Sequence, residues 1–284
     1  MAPSRRDALR IGGTTLLSLT PLAGCVGQSG MPETEPPTES TTSPRTTQVP
    51  PEDRAAVRLT GPTVAPELVA LNSPDSITTY GDRGRQFLVL DATVESGSAP
   101  VYSAFELRTE SKTYESAPDA GYQGMIWNRG QRYEYERESG WLAFDLPKPL
   151  DTEHATVRWP GGDYRLDRSV LDRLNRPPTS FEVREFSAPE SVDNYQQATL
   201  TVRIANTGDR SGTFVGALNR IGPAVAYSPE VALEQRIPAG ESATWTYSHT
   251  PSLDARESGE FPDMRLSLRW RGGSESVTVG ITDG

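Results

Sequence analysis

The sequence predicts an all-β protein in which two tandem β-sandwiches follow a disordered N-terminal segment. Three observations carry that expectation. Apolar and polar residues alternate with period two in short runs from residue 86 onward, and Gly, Pro, Asn and Asp punctuate the runs. Half-buried strands joined by turns produce that pattern. The helical-looking stretch, residues 169–175, is short and stops at Arg176-Pro177-Pro178. Such a stiff break sets the boundary between a first sandwich over 55–176 and a second over 177–284. Residues 25–54 are rich in Pro, Thr, Ser and Glu, with too little apolar surface to offset the entropy of ordering.

Ahead of that segment the chain reads MAPSRRDALRIGGTTLLSLTPLAGC. A cationic head at Arg5 and Arg6 precedes a diluted apolar run and the small pair Ala23-Gly24. The run is shorter than the ~20 residues of a bilayer span, so residues 1–24 read as a cleaved export signal. Ser4-Arg5-Arg6 with Leu9 resembles the twin-arginine export motif, although Ala8 stands where a bulkier apolar residue is usual. Leu22-Ala23-Gly24-Cys25 resembles a lipobox, in which cleavage before the cysteine leaves its thiol to carry lipid. Cys25 is the one cysteine of the chain, and a thiol alkylates readily to a stable thioether. The resemblance implies two acyl chains, enough for stable membrane anchoring through Cys25. An uncleaved start with an incidental cysteine is the alternative. Behind an anchored Cys25, the 25–54 segment would serve as a stalk, on the order of 30 Å long as a flexible coil.

Lysine and arginine total 28 against 38 acidic residues, a net charge of −10, and Lys112 and Lys148 are the two lysines. An acidic, lysine-poor surface stays hydrated where salt screens charge at short range. The bias resembles that of secreted haloarchaeal proteins, although a GC-rich genome also favours arginine. Nucleic acid is not expected as a partner, because phosphate contacts need clustered positive charge and the sequence shows no basic run.

Within the first sandwich, QFLVLDATVES sets Leu88, Leu90, Ala92 and Val94 against Val89, Asp91 and Thr93. YSAFELRT contributes Phe105 and Leu107, and GWLAFDLP opposes Trp141 and Ala143 to Leu142, Phe144 and Leu146. ATVRW and DYRLD follow, separated by Pro160-Gly161-Gly162. The second half supplies seven runs: FEVREF, ATLTVRIAN, TFVGALNR, VALEQRI, SATWTYS, MRLSLRW and ESVTVGI. In ATLTVRIAN, Leu200, Val202 and Ile204 point one way and Thr199, Thr201 and Arg203 the other, a strand with one face on a core. Asn206-Thr207-Gly208-Asp209 and Pro238-Ala239-Gly240-Glu241 supply turns.

The phrases TLTVRIANTGDRSGTF and IPAGESATWTYS resemble the CARDB-like, adhesion-type immunoglobulin-like domains of prokaryotic surface proteins. Residues 86–167, with GWLAFDLP, resemble the telokin-like sandwich modules of lipoproteins. Together these resemblances imply a haloarchaeal, twin-arginine-exported lipoprotein with two tandem immunoglobulin-like β-sandwiches. They speak to fold and not to activity.

Groups for chemistry are few. His154 and His249 lie in no HExxH pattern and have no second histidine nearby, so no metal site is expected. Gly-X-Ser-X-Gly and phosphate-loop motifs are absent, and no cofactor is expected. Glu134, Glu136 and Glu138 in RYEYERESG would share one strand face at period two, either as glycosidase carboxylates or as an acidic solvated face. Asp119 and the Asp193-Asn194 pair lack the ladder of a calcium loop. The 120–140 stretch, AGYQGMIWNRGQRYEYERESG, is an apparent insertion whose Tyr122 and Trp127 are candidate recognition residues. Aromatic residues on loops supply contact area at low entropic cost; the alternative is that they fold back to cap the first sandwich.

The expected function is therefore non-catalytic. The chain would be lipid-anchored at the outer face of the cell membrane and bind or scaffold an unknown surface protein or glycan. An accessory subunit of a transporter or secretion complex is the alternative, with a carboxylate-based hydrolase behind both.

Overall fold

A computed structural model of the chain describes residues 54–117, 124–223, 225–253 and 263–282. Arg5, Arg6, Cys25, Asp119 and Tyr122 lie outside the described residues.

The first half opens with strands β1 (Ala56–Ala65), β2 (Leu68–Ser73), β3 (Ser76–Tyr80) and β4 (Arg85–Ser96). It continues through β5 (Glu106–Thr109), β6 (Thr113–Glu115), β7 (Met125–Ile126) and β8 (Gly130–Gln131). β9 (Ser139–Pro147), β10 (Ala155–Trp159), β11 (Gly162–Arg165) and the helix α1 (Arg168–Leu174) complete it. These strands form three sheets, ordered β1-β4-β9, β11-β10-β5-β6 and β3-β2-β7-β8.

The β1-β4-β9 sheet lies in the middle because β4 and β9 carry apolar side chains on both faces. Leu88, Leu90 and Ala92 join Leu142, Phe144 and Leu146 in a core shared with Phe105, Leu107 and Val157. Phe87 and Val89 join Trp141 and Ala143 on the opposite face, against Leu68 and Ile126. The sequence expectation of one buried face for β4 is thus half of the arrangement, since Val89 is as fully enclosed as Leu88. α1 buries Val170, Leu171 and Leu174 in the first core and ends at Asn175, two residues before the proline pair.

RYEYERESG does not form the expected strand. Arg137 and Glu138 both donate backbone N–H bonds to the Glu134 carbonyl, at 3.0 and 2.9 Å, which closes a tight turn. Glu134, Glu136 and Glu138 therefore share no strand face; Glu138 takes a φ of 58°, and Glu134 sits between Arg132 and Arg137. Tyr133 is fully buried, its hydroxyl donating to the Pro100 carbonyl at 2.9 Å. Burial, and then the Glu138 charge, push that phenol up to about 12.

The second half has the expected strands, with one short addition. They are β12 (Phe181–Ser187), β13 (Ser191–Asp193), β14 (Ala198–Asn206), β15 (Gly212–Ile221), β16 (Ser228–Ile237), β17 (Ser242–His249), β18 (Asp263–Trp270) and β19 (Gly273–Thr282). The sheet β12-β14-β17 faces the sheet β13-β19-β18-β15-β16, with Leu200, Val202 and Ile204 packed among Leu218, Leu266 and Leu268. The opening strand pairs in one sheet through β12 and then crosses to lie parallel to the last strand through β13. This division of strands between two sheets is that of an immunoglobulin-like sandwich.

β15 is enclosed on both faces. Phe214 and Leu218 enter the second core, and Val215 and Ala217 pack on the β2–β3 hairpin of the first half. Five sheets consequently stack in one series, with the small β3-β2-β7-β8 sheet as the shared middle layer. The Asn206 amide organises one end of this stack. Its Oδ1 accepts bonds from the Gly208 N–H at 3.0 Å and the Thr179 hydroxyl at 2.9 Å, and its Nδ2 donates to the carbonyls of Arg210 at 2.7 Å and Ile237 at 3.0 Å. An Asn206→Ala substitution leaves the buried Ile237 carbonyl without its side-chain partner and should lower unfolding free energy by about 1–3 kcal/mol, read from urea titration.

Candidate functional site

The seam between the halves is the most elaborated part of the molecule. β3 begins its run against β15 so that Ile77 and Asn219, 142 residues apart in sequence, meet out of water. The Asn219 Oδ1 accepts the Ile77 N–H at 2.8 Å, and its Nδ2 donates to the Ile77 carbonyl at 2.9 Å. One side-chain amide thus takes the place of a neighbouring strand, since it offers a donor and an acceptor side by side as a peptide group does. Val69 and Leu71 from β2, with Val215, Ala217 and Ala232 opposite, exclude water around the pair.

Trp127 belongs to this seam. The loop between β7 and β8 holds it half-buried against the same apolar cluster, and its backbone N–H donates to the Val69 carbonyl at 2.8 Å. Arg129 fixes the outer side of the loop, its guanidinium reaching Asp91 at 3.0 Å and the Gly61 carbonyl at 3.1 Å. Of the two candidate recognition residues, Trp127 lies half-buried in the seam, whereas Tyr122 falls outside the described residues.

A second polar lock flanks the first. Glu67, 6 % exposed, accepts the backbone N–H of Arg271 at 3.1 Å and lies 3.6 Å from its guanidinium. The same guanidinium donates to the carbonyls of Pro66 at 3.4 Å and Asp82 at 3.2 Å. Burial holds the Glu67 carboxyl above the usual carboxylate range, against the opposing pull of the Arg271 charge and the Thr79 hydroxyl. Removing either partner would strand a charge in a poorly hydrated place.

The two histidines stay apart. His154 shares a 3.0 Å hydrogen bond between its Nδ1 and Arg165. His249 lies beside a cluster that bridges β15, β16 and β17, where Arg220 donates to Glu230 at 2.7 Å and the Tyr247 hydroxyl donates to the other Glu230 oxygen. Burial and the hydrogen bond to Glu230 raise the Tyr247 phenol. Burial, then the Arg220 charge, lower His249 against the opposing effect of Glu230. Both oxygens of Glu230 are engaged, so the cluster ties the two sheets together at an open edge. Asp193 and Asn194 are engaged too: Asp193 accepts from the Thr282 hydroxyl at 2.6 Å, and the Asn194 amide brackets the N–H and carbonyl of Leu253 at 2.9 Å each. Among the described residues, no three His, Cys, Asp or Glu side chains gather as metal ligands would.

Sequence reasoning did not single out Asn219, Ile77, Glu67 or Arg271. A usable signal existed in TFVGALNRI, where apolar residues occupy both parities, as in a strand covered on both faces. An asparagine at the end of such a run has to find its partners inside the protein.

No protein-family model matches the chain, and no curated protein matches it. Solved structures are similar to parts of the chain only at a low level. A β-glucosidase from Listeria innocua bound to glucose is 16 % identical with a TM-score of 0.31, over 39 % of this chain and 17 % of that one. The CARDB domain of a Pyrococcus furiosus protein, in complex with two metal ions, is 13 % identical with a TM-score of 0.29, over 37 % of this chain and 89 % of that one. A Pseudomonas fluorescens alkylpurine DNA glycosylase bound to DNA is 8 % identical with a TM-score of 0.31, over 40 % and 33 %. The chain spans about a sixth of the glucosidase it matches, and likeness at this level carries neither chemistry nor partners.

Two outcomes follow from the geometry. Asn219→Ala should destabilise the protein by about 2–4 kcal/mol in urea titration, because it leaves the Ile77 N–H and carbonyl buried and unbonded. His249, with its folded value below the unfolded 6.5, binds fewer protons folded than unfolded, so its contribution to stability is present above that value and lost as pH falls. The thermal midpoint should fall less steeply for His249→Gln than for the parent between about pH 7 and about pH 5.

Proposed function

We propose that the protein is a lipid-anchored cell-surface module whose two sandwiches act as one non-catalytic platform for binding or scaffolding. The observation that carries this reading is the continuous stack of five sheets, in which the seam side chains fix one half against the other. A module that presents a surface to a partner gains affinity from such preorganisation. The ion pairs and hydrogen bonds support the same reading: Glu67 is held by Arg271 across the seam, and Tyr247 and Arg220 by Glu230 across a sandwich edge. In this reading Arg5 and Arg6 direct export, Cys25 carries lipid, and the 25–54 stretch lifts the platform off the membrane. The partner is a surface protein or glycan.

Cys25→Ser tests the anchor. The parent chain should take up labelled lipid and partition with membranes, whereas the variant should lose the label and appear in the medium. A variant that remains membrane-bound and labelled, or a parent found unlabelled in the cytoplasm, contradicts the reading.

A further inference from the structure

Beside the seam, the chain folds positive charge into one small cleft. Its described lining includes Lys148 and Arg176, which follow β9 and α1, Arg173 on α1, Arg236 on β16 and Arg271 in the β18–β19 turn, and it includes no carboxylate. That composition runs against the chain as a whole, in which 38 acidic residues outnumber 28 basic ones. Glu67 behind the cleft offsets Arg271. Lys148, Arg173, Arg176 and Arg236 have no carboxylate partner among the described residues.

A local explanation covers only part of this. Arg173 and Arg176 stand at the C-terminal end of α1, where the helix dipole favours cations, and Arg173 donates to the Ser169 carbonyl at 3.3 Å. Lys148, Arg236 and Arg271 come from other elements and owe nothing to that helix. Lys148 is moreover held in place from behind: fully buried Gln86 accepts from its Nζ at 3.2 Å while donating to the carbonyls of Pro147 and Leu174 at 2.7 Å each. Burial, together with the charges of Arg271 and Arg176, lowers the Lys148 ammonium below its ordinary range, as expected where like charges are crowded.

We propose that this cleft binds a doubly charged tetrahedral oxyanion, phosphate or sulfate, either free or as the ester group of a larger ligand. Its volume of about 90 Å³ is well above what a single water needs, so it admits one such group. Donors approach from four separate elements of both halves. That arrangement fits a tetrahedral dianion better than a planar carboxylate, which a single arginine fork satisfies. The hydroxyls of Ser211 and Thr213 on the same wall add neutral donors. The site is independent of the lipid anchor and of any surface partner.

Calorimetric titration of the full chain with inorganic phosphate, inorganic sulfate and glycerol phosphate, at constant ionic strength, tests the proposal. Saturable binding of phosphate or sulfate is expected, weakened at least about tenfold in Arg176→Gln/Arg236→Gln. Both side chains are exposed, so the fold should tolerate their loss. The control Arg158→Gln/Arg269→Gln removes the same charge at exposed positions outside the cleft and should bind as the parent does. Retention with glycerol phosphate assigns the ester form, and its loss assigns the free ion. No saturable binding of any of the three, or equal weakening in the control, overturns the site.

Discussion

The architecture depends on two hydrogen bonds made by one side chain. Without Asn219, the N–H and carbonyl of Ile77 would face the apolar layer between β3 and β15 with nothing to bond. A buried unbonded pair of that kind costs about 2–4 kcal/mol, a large part of the stability of an ordinary domain. The apolar residues around it press the halves together, but apolar contact is non-directional. The amide supplies direction, because its two bonds form in one register only. Glu67 and Arg271 add a second directional contact beside it. Two sandwiches that could have been joined by a hinge thus become consecutive layers of one body.

Asparagine performs the same task elsewhere in this fold. Asn175 brackets the backbone of Thr152, at 3.1 Å to its N–H and 2.7 Å from its carbonyl, and so ties the end of α1 to the loop after β9. Asn194 does so for Leu253, joining the segment after β13 to the one after β17. In each case a chain segment that is not in a sheet has its polar groups satisfied by a side chain, as burial requires. No disulfide is needed for these cross-ties in a chain whose single cysteine stands at residue 25.

How far the sequence could be read follows from where each segment finds its partners. Leu142, Phe144 and Leu146 in β9, and Leu200, Val202 and Ile204 in β14, alternate cleanly because each strand has a core face defined by its nearest neighbours. β1, β2 and β3 were invisible to that test. AVRLTGPTVA is interrupted by Gly61-Pro62, LVALNS and SITTY are short, and those last two are buried by β15, far away in the chain. The opposite error occurred at Glu134, Glu136 and Glu138, whose alternation with tyrosine imitates a strand. Local geometry decides there: Gly140 approaches the Tyr133 backbone so closely that an added Cβ would lie 2.4 Å from its nitrogen, and the chain reverses just before it. The cationic cleft had no linear signature at all. Its residues are spread from Lys148 to Arg271 and meet only because α1, β16 and the β18–β19 turn converge at the seam.

The central claim is that both halves move as one rigid body. Backbone 15N relaxation across the described strands tests it most directly. A single rotational correlation time shared by β1–β11 and β12–β19 is the expected result. Two distinct times, each matching a body of about half the mass, would contradict it.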